Sequence, residues 1–250
     1  MTSAANHPLG FIFCENYIYL LTLYRTNSTV LTHRTNGTAN LTFTLTTKTG
    51  NAMIKLYGHE ISGNSYKARL ILSLLNLEYE WVRVDLMKGE HKTPEYLAMN
   101  PFGQVPLLID GDTQLADAQA ILVYVARKYG GEQWLPTEAL PMAQVIRWLS
   151  TAAGEVRQGP ESARLFYLFG AGTKINIDRA TEKSVFILNQ LDQHLSTRSW
   201  LECDRPTIAD VAIYPYISLA KDGKIELDAY SNVLSWMERF QKLSGYVPML

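Results

Sequence analysis

From residue 53 onward the sequence predicts a small α/β domain followed by an all-helical one, an α+β/α arrangement. Three observations carry that expectation. Short apolar strands alternate with helices up to about residue 129. A segment containing Gly and Pro, 130–141, then interrupts the pattern as a linker. Every longer periodic stretch beyond it is helical.

The elements follow in order. Residues 53–58 (MIKLYG) form a short strand, and 65–77 a helix with Leu70, Leu74 and Leu77 on one apolar stripe. Residues 79–84 form a second strand, and a polar stretch covers 88–94. Residues 105–109 and 113–115 flank Asp110-Gly111, which reads as a tight hairpin turn. A helix over 117–129 turns Ile121, Tyr124 and Val125 inward. It carries an acid at its start, Arg127 and Lys128 in its last turn, and Gly130 as C-cap. Helical patterns then cover about 142–156, 179–195, 207–219 and 234–243.

Composition narrows the function. The chain is 47% apolar and 19% charged, ordinary values that supply a sizeable core. A formal net charge of −1 gives no electrostatic case for nucleic acid or an anionic membrane. Cys14 and Cys203 are the only cysteines, which fits a reducing compartment and gives neither a disulfide framework nor zinc-ligand spacing. The longest apolar run, 9–24, is broken by Glu15 and Asn16 and falls short of a membrane span. No cluster of His and carboxylates suggests a metal.

Residues 1–52 differ from the rest. They are Thr-rich, hold one acid (Glu15), and show no sustained strand or helix period. Asn27, Asn36 and Asn40 each open an Asn-x-Thr triplet, a glycosylation acceptor in a secreted chain and a chance outcome in a Thr-rich one. A low-order leader, a transit peptide and sequence upstream of a start at Met53 are the alternatives. The last is preferred, because the folded pattern begins abruptly at Met53.

Four motifs stand in register beyond Met53: Met53–Tyr57 followed by Ser62-Gly-Asn-Ser-Tyr-Lys-Ala-Arg69, then Asn100-Pro-Phe-Gly-Gln-Val-Pro106, Asp117-Ala-Gln-Ala-Ile121 and Arg205-Pro-Thr-Ile-Ala-Asp210. In order and spacing they resemble the cytosolic glutathione S-transferase superfamily, serine-type, near its bacterial and cyanobacterial members and the phi, theta and zeta classes. The resemblance covers essentially all of 53–250. It implies a thioredoxin-like glutathione-binding domain over 53–131 and a helical domain over 141–250. It also implies glutathione as co-substrate, no permanently bound cofactor, no metal, and a cytoplasmic homodimer.

Glutathione needs a partner for its amine, donors for two carboxylates, a backbone ladder for its peptide, and help in losing a thiol proton of pKa about 8.5. The resemblance assigns these needs to residues. Pro106 is expected to be cis, with Val105 offering its backbone to the cysteinyl unit; the plain alternative is a loop proline before a strand. Asp117 is expected to meet the γ-glutamyl ammonium while the helix N-terminus behind it takes a carboxylate. Asp117 also serves as an ordinary N-cap in either case. Family members usually place Ser where this chain has Ala118, so one hydrogen bond of about 1 kcal/mol is missing and the Ala118 N–H remains. His91 and Lys92 resemble a pair that contacts the glycyl carboxylate, and Gln104 a further partner of the peptide. Ser62 is the preferred donor to the sulfur, with Asn64 and Ser65 as rivals; its plain alternative is an N-cap. Tyr66, Arg157, Arg164 and Phe166 are guesses for the electrophile pocket.

The resemblance implies conjugation of glutathione to small apolar electrophiles, with possible reduction of organic hydroperoxides. Two alternatives stay open: a glutathione-dependent disulfide reductase using Asn64, and a non-catalytic binding module of the same fold. Thr207 and Asp210 approximate a reciprocal capping box and are structural.

Overall fold

The sheet of the main unit is built by β-branched and aromatic strands whose side chains alternate between two helical layers. In the computed structural model, residues 53–170 and 174–250 are described in full. Ahead of them the backbone of four strands is described: β1 (Gly10–Cys14), β2 (Tyr17–Leu21), β3 (Thr29–His33) and β4 (Leu41–Leu45). These pair as two separate antiparallel hairpins, β1 with β2 and β3 with β4. No such pairing was expected from the sequence; β-branched and aromatic residues are dense in these four segments, which favours extended backbone. Asn27, Asn36 and Asn40 lie outside the described residues. Met1–Ala52 and Met53–Leu250 are two distinct units.

Within the second unit, β5 (Ile54–Gly58) pairs in parallel with β6 (Tyr79–Arg83) and antiparallel with β7 (Leu107–Asp110). β7 pairs antiparallel with β8 (Thr113–Ala116), giving the order β6-β5-β7-β8. The crossover from β5 to β6 is α1 (Gly63–Leu74), and α2 (Pro94–Met99) precedes β7. α3 (Ala118–Val125) follows β8 and continues as a wider turn through Gly130. This is the thioredoxin-like arrangement expected. Ile54, Leu56 and Leu108 face the main core with α1 and α3. Tyr57 and Leu107 face the opposite way, onto Tyr96 of α2 and Val84. Each strand therefore alternates faces as its period of two requires.

Several boundaries differ from expectation. α1 runs Gly63–Leu74 and not 65–77, so Leu77 lies beyond its end, and α4 begins at Ala139. The hairpin turn is Gly111–Asp112, one residue later, because Asp110 still pairs with Thr113. The left-handed residue that ends α3 and its extension is Gly131 (φ 61°), not Gly130. α2 was not anticipated; Thr93 caps it, accepting from the Tyr96 N–H at 3.3 Å, with Pro94 at its first position.

The helical half comprises α4 (Ala139–Thr151), α5 (Ser162–Phe169), α6 (Ile177–Leu195), α7 (Ile208–Ser218) and α8 (Ser231–Gln241). α4 runs into a wide-turn segment, Ala152–Glu161, whose Gly159 leaves helical geometry before Pro160 starts the next helix. α5 was not expected from the sequence; Gly159-Pro160 breaks the preceding helix, and the proline stands where a new helix can start. α7 is the central helix, buried along nearly its whole length. Thr207 Oγ1 accepts from the Ala209 N–H, and Asp210 returns a carboxylate to the Thr207 N–H at 2.9 Å. The capping box is therefore present. Asp210 does more than cap: it also accepts from Leu201 N–H at 3.0 Å and Trp236 Nε1 at 2.9 Å.

Candidate active site

A cleft of about 660 Å³ opens beside the N-terminal ends of α1 and α3, where unpaired backbone N–H groups and partial positive charge favour an anion. Ser62, Asn64, His91, Lys92, Gln104, Val105, Pro106, Asp117 and Ala118 all line it. Nine of the ten residues that the resemblance assigns to glutathione thus meet in one place.

The tenth, Ser65, does not. It has no exposed surface, and its Oγ accepts from the His59 N–H at 3.3 Å beneath the turn. The signal was available: Ser65 shares a helical stripe with Ala68 and Leu72, both buried. Ser65 therefore drops out as a sulfur donor. Two electrophile-pocket guesses fail similarly. Tyr66 is buried and donates to the Val247 carbonyl at 2.8 Å, and Phe166 packs edge-on against Tyr167. Leu165 and Phe169, one residue before and three after Phe166, line the cleft instead.

Ser62 is the N-cap of α1, its Oγ accepting from the Ser65 N–H at 3.1 Å. That bond uses an oxygen lone pair and leaves the O–H free to donate. Gly63 permits the turn's close approach to α7, since a Cβ there would fall 2.6 Å from the Tyr216 ring. The helical half grips the turn on both sides. Arg164 Nη1 donates to the Ile61 carbonyl at 2.8 Å while its Nε holds Asp222 at 2.8 Å. Asn64 Nδ2 approaches Glu161 Oε1 at 3.5 Å, and Arg157 pairs with the same oxygen at 3.1 Å. Burial pushes the Glu161 carboxyl up, against the pull of Arg157 and Lys67. Arg157 and Arg164 do reach the cleft, as guessed, but with these partners.

The Val105–Pro106 peptide is cis. Among the described residues neither the N–H nor the C=O of Val105 has a hydrogen-bond partner, so both remain open to a ligand. The preceding loop is tied down from three directions. Asn100 Nδ2 and the Tyr96 hydroxyl each donate to the Gln104 carbonyl at 2.8 Å, and Lys92 Nζ donates to Gly103 at 2.8 Å. Burial pushes the Tyr96 hydroxyl up to about 12, which keeps it protonated as a donor. His91 is pulled down by burial and then by Lys92, which favours its neutral form, and its Nδ1 has no partner among the described residues.

Asp117 caps α3, one carboxylate oxygen accepting from Gln119 N–H at 2.9 Å and Ala120 N–H at 3.0 Å. Its φ of 75° is unusual for a residue with a Cβ, a conformation that costs on the order of 1–3 kcal/mol and concentrates at functional sites. The second carboxylate oxygen and the Ala118 N–H are unused by these bonds.

A thioredoxin-like sheet with a cis-proline loop and a capped α1 turn, joined to a helical partner, defines a two-domain fold class. Comparison with known proteins makes it specific. The family model described as "Glutathione S-transferase, N-terminal domain" matches residues 52–127, and "Glutathione S-transferase, C-terminal domain" matches 149–243. "Glutathione S-transferase 3" of Zea mays is 32% identical over 218 residues, covering 79% of this chain and 96% of its own. A solved glutathione S-transferase from Pseudomonas fluorescens superposes with a TM-score of 0.75 at 33% identity, covering 80% of this chain and all of that one. A Drosophila mojavensis homologue solved with bound glutathione gives 0.70 at 27% identity, covering 76% of this chain and 88% of that one. The chain belongs to the glutathione S-transferase family of enzymes.

The sequence alone assigned no role to Lys67, Tyr96, Asn100 or Glu161; Glu161 meets Asn64 across a long sequence distance, whereas Lys67 and Asn100 make their contacts inside the 62–69 and 100–106 motifs. Only Asn100, opening the Asn-Pro-Phe-Gly turn, carried a usable signal.

Proposed function

We propose that the cleft binds glutathione and activates its thiol for attack on small apolar electrophiles, with organic hydroperoxides as further substrates. The observation that carries this is the meeting of an unpartnered Val105 backbone, the open carboxylate oxygen of Asp117 and the Ser62 hydroxyl in one cleft. In this reading Val105 pairs with the cysteinyl backbone, Asp117 with the γ-glutamyl ammonium, and the Ala118 N–H with the neighbouring carboxylate. His91, Lys92 and Gln104 face the glycyl end. Ser62 donates to the sulfur and holds the thiolate, which leaves the proton to solvent. Ile61, Leu86, Ala152, Leu165 and Phe169 supply an apolar wall for the electrophile.

Asp117→Asn separates the two roles of that residue, because an amide still caps a helix but carries no charge. The expected result is a roughly tenfold weaker glutathione complex, about 1.4 kcal/mol by calorimetry, with little change in melting temperature. Retention on immobilised glutathione, followed by a chromogenic-electrophile assay and a disulfide-reduction assay, tests the whole reading. Conjugation supports it; absence of glutathione binding overturns it and leaves a non-catalytic module. Disulfide reduction alone favours the second reading, for which the Asn64 amide in the cleft is the supporting observation.

The division at a linker over 131–141, a cytoplasmic location and a homodimer belong to the same proposal. No helix among the described residues is long and apolar enough to cross a membrane. An almost wholly apolar groove of about 760 Å³ between α3 and α4, lined by Val123, Ile146 and Leu149, suits a second copy of the chain. Ile146→Arg is expected to convert a dimer to a monomer by light scattering; a wild-type monomer would refute the assignment.

A further inference from the structure

Behind the Ser62 turn lies a buried base that the chemistry above does not use. Lys67, in the second turn of α1, has no exposed surface. Its Nζ donates to Asn64 Oδ1 at 3.0 Å and lies 5.1 Å from the centre of the Tyr216 ring of α7. The remaining charged groups acting on it are Glu161 and Arg157 ahead of α5 and Asp117 at the start of α3. Glu161 takes the half-exposed Arg157 as its ion-pair partner at 3.1 Å, so Lys67 and Glu161 are the buried cation and carboxylate of the cluster and are not paired directly with each other. A buried ammonium is costly, and among the described residues this one makes no direct ion pair, its hydrogen bond going to the neutral Asn64 amide.

The arrangement has two effects on the cleft. An amide whose oxygen is held by an ammonium has a single orientation, with its NH₂ group turned the other way, here toward Glu161 and the cleft lining. The Lys67 charge also stands in a poorly solvated region behind the turn, where its field is weakly screened. We propose that Lys67 is a positioning residue for thiol activation, fixing the Asn64 amide and placing a buried positive charge behind the turn that receives the sulfur anion. This rests on the glutathione reading above. Lys67 does not touch the sulfur and exchanges no proton with it.

Burial pulls the Lys67 ammonium down to about 8, against Glu161 and Asp117, which hold it up. The charge is complete below that pH and is lost as pH rises through it. Support for the thiolate is therefore greatest at neutral pH and below.

The test is a pH titration of the thiolate absorbance of glutathione bound to the full chain, in wild type, Lys67→Met and Lys67→Arg. The ionisation midpoint is expected to rise by about 0.5 unit or more in Lys67→Met and to return in Lys67→Arg, as loss and rescue of a nearby positive charge require. Glutathione affinity at low pH, where the thiol is protonated in both, is expected to change less than about twofold. An unmoved midpoint in Lys67→Met overturns the proposal, as does an equal rise in Lys67→Arg. Should Lys67→Met fail to fold by circular dichroism, Lys67→Gln carries the comparison, since it keeps a donor for Asn64 without the charge. A raised midpoint there supports the proposal and an unchanged one overturns it. Wild type that binds no glutathione defeats the underlying reading, whereas normal binding with an unmoved midpoint defeats the Lys67 assignment alone.

Discussion

Asp210→Ala is expected to destabilise the second unit by about 4 kcal/mol, the largest single-residue effect on folding. Asp210 has no exposed surface and accepts from four buried donors, the N–H groups of Leu201 and Thr207, Trp236 Nε1 and, at 3.4 Å, the Thr207 hydroxyl. Each donor left without a partner costs about 1–3 kcal/mol. Removing the carboxylate also removes its own desolvation cost, which is why the expected loss falls below the sum. Burial pushes that carboxyl from 3.8 up to about 6 despite the donors, so the folded state holds its proton more tightly than the unfolded chain. The sign follows from linkage. The contribution of this group is fully present below its unfolded value and is lost as pH rises through about 6. Over that window it amounts to about 3 kcal/mol at 1.36 kcal/mol per unit. Urea unfolding of wild type and Asp210→Asn at pH values on either side checks it: the wild type should gain on the variant as the solution is acidified. A cost for Asp210→Ala below about 1 kcal/mol would mean that these bonds do not hold the α7–α8 junction together.

Ser62→Ala is expected to lower kcat/KM for glutathione conjugation by ten-fold or more, about 1.4 kcal/mol of transition-state stabilisation. The same substitution removes an N-cap, costing about 0.5–2 kcal/mol of stability. The two effects separate experimentally, because the first appears in kinetics at a temperature where the variant is fully folded. A rise in the ionisation midpoint of the bound thiol should accompany the kinetic loss. Undiminished activity in Ser62→Ala, together with a loss in Asn64→Ala, would move the sulfur donor to Asn64.

Most of the architecture was legible because it is written locally. The alternation in β5, the strand–turn–strand around Gly111 and the capping pair Thr207–Asp210 each span a few residues, and each forms about where its pattern places it. The cleft was legible by another route: its contributors stand in short motifs that resemble those of a known family, whereas each residue taken alone reads equally well as a cap or a loop residue. What escaped was carried by distance or by helix phase. Glu161 meets Asn64 from 97 positions away, and nothing in either segment announces the other. Lys67 looks like an ordinary surface lysine in an amphipathic helix, yet α1 is enclosed by α3 and α7 and leaves that face no solvent. Ser65 carries a hydroxyl suited to a sulfur, but it lies on the buried stripe of Ala68 and Leu72, which keeps that hydroxyl out of the cleft.

The grip of Arg164 on the Ile61 carbonyl and of Glu161 on Asn64 bears on how such chains can be recombined. A crossover placed in the linker before α4 would bring in a foreign α5 and with it a foreign hold on the Ser62 turn. Hybrids cut there would vary in how they ionise a thiol as well as in which electrophiles they accept. A crossover beyond α5 keeps that hold native and exchanges only the outer helices.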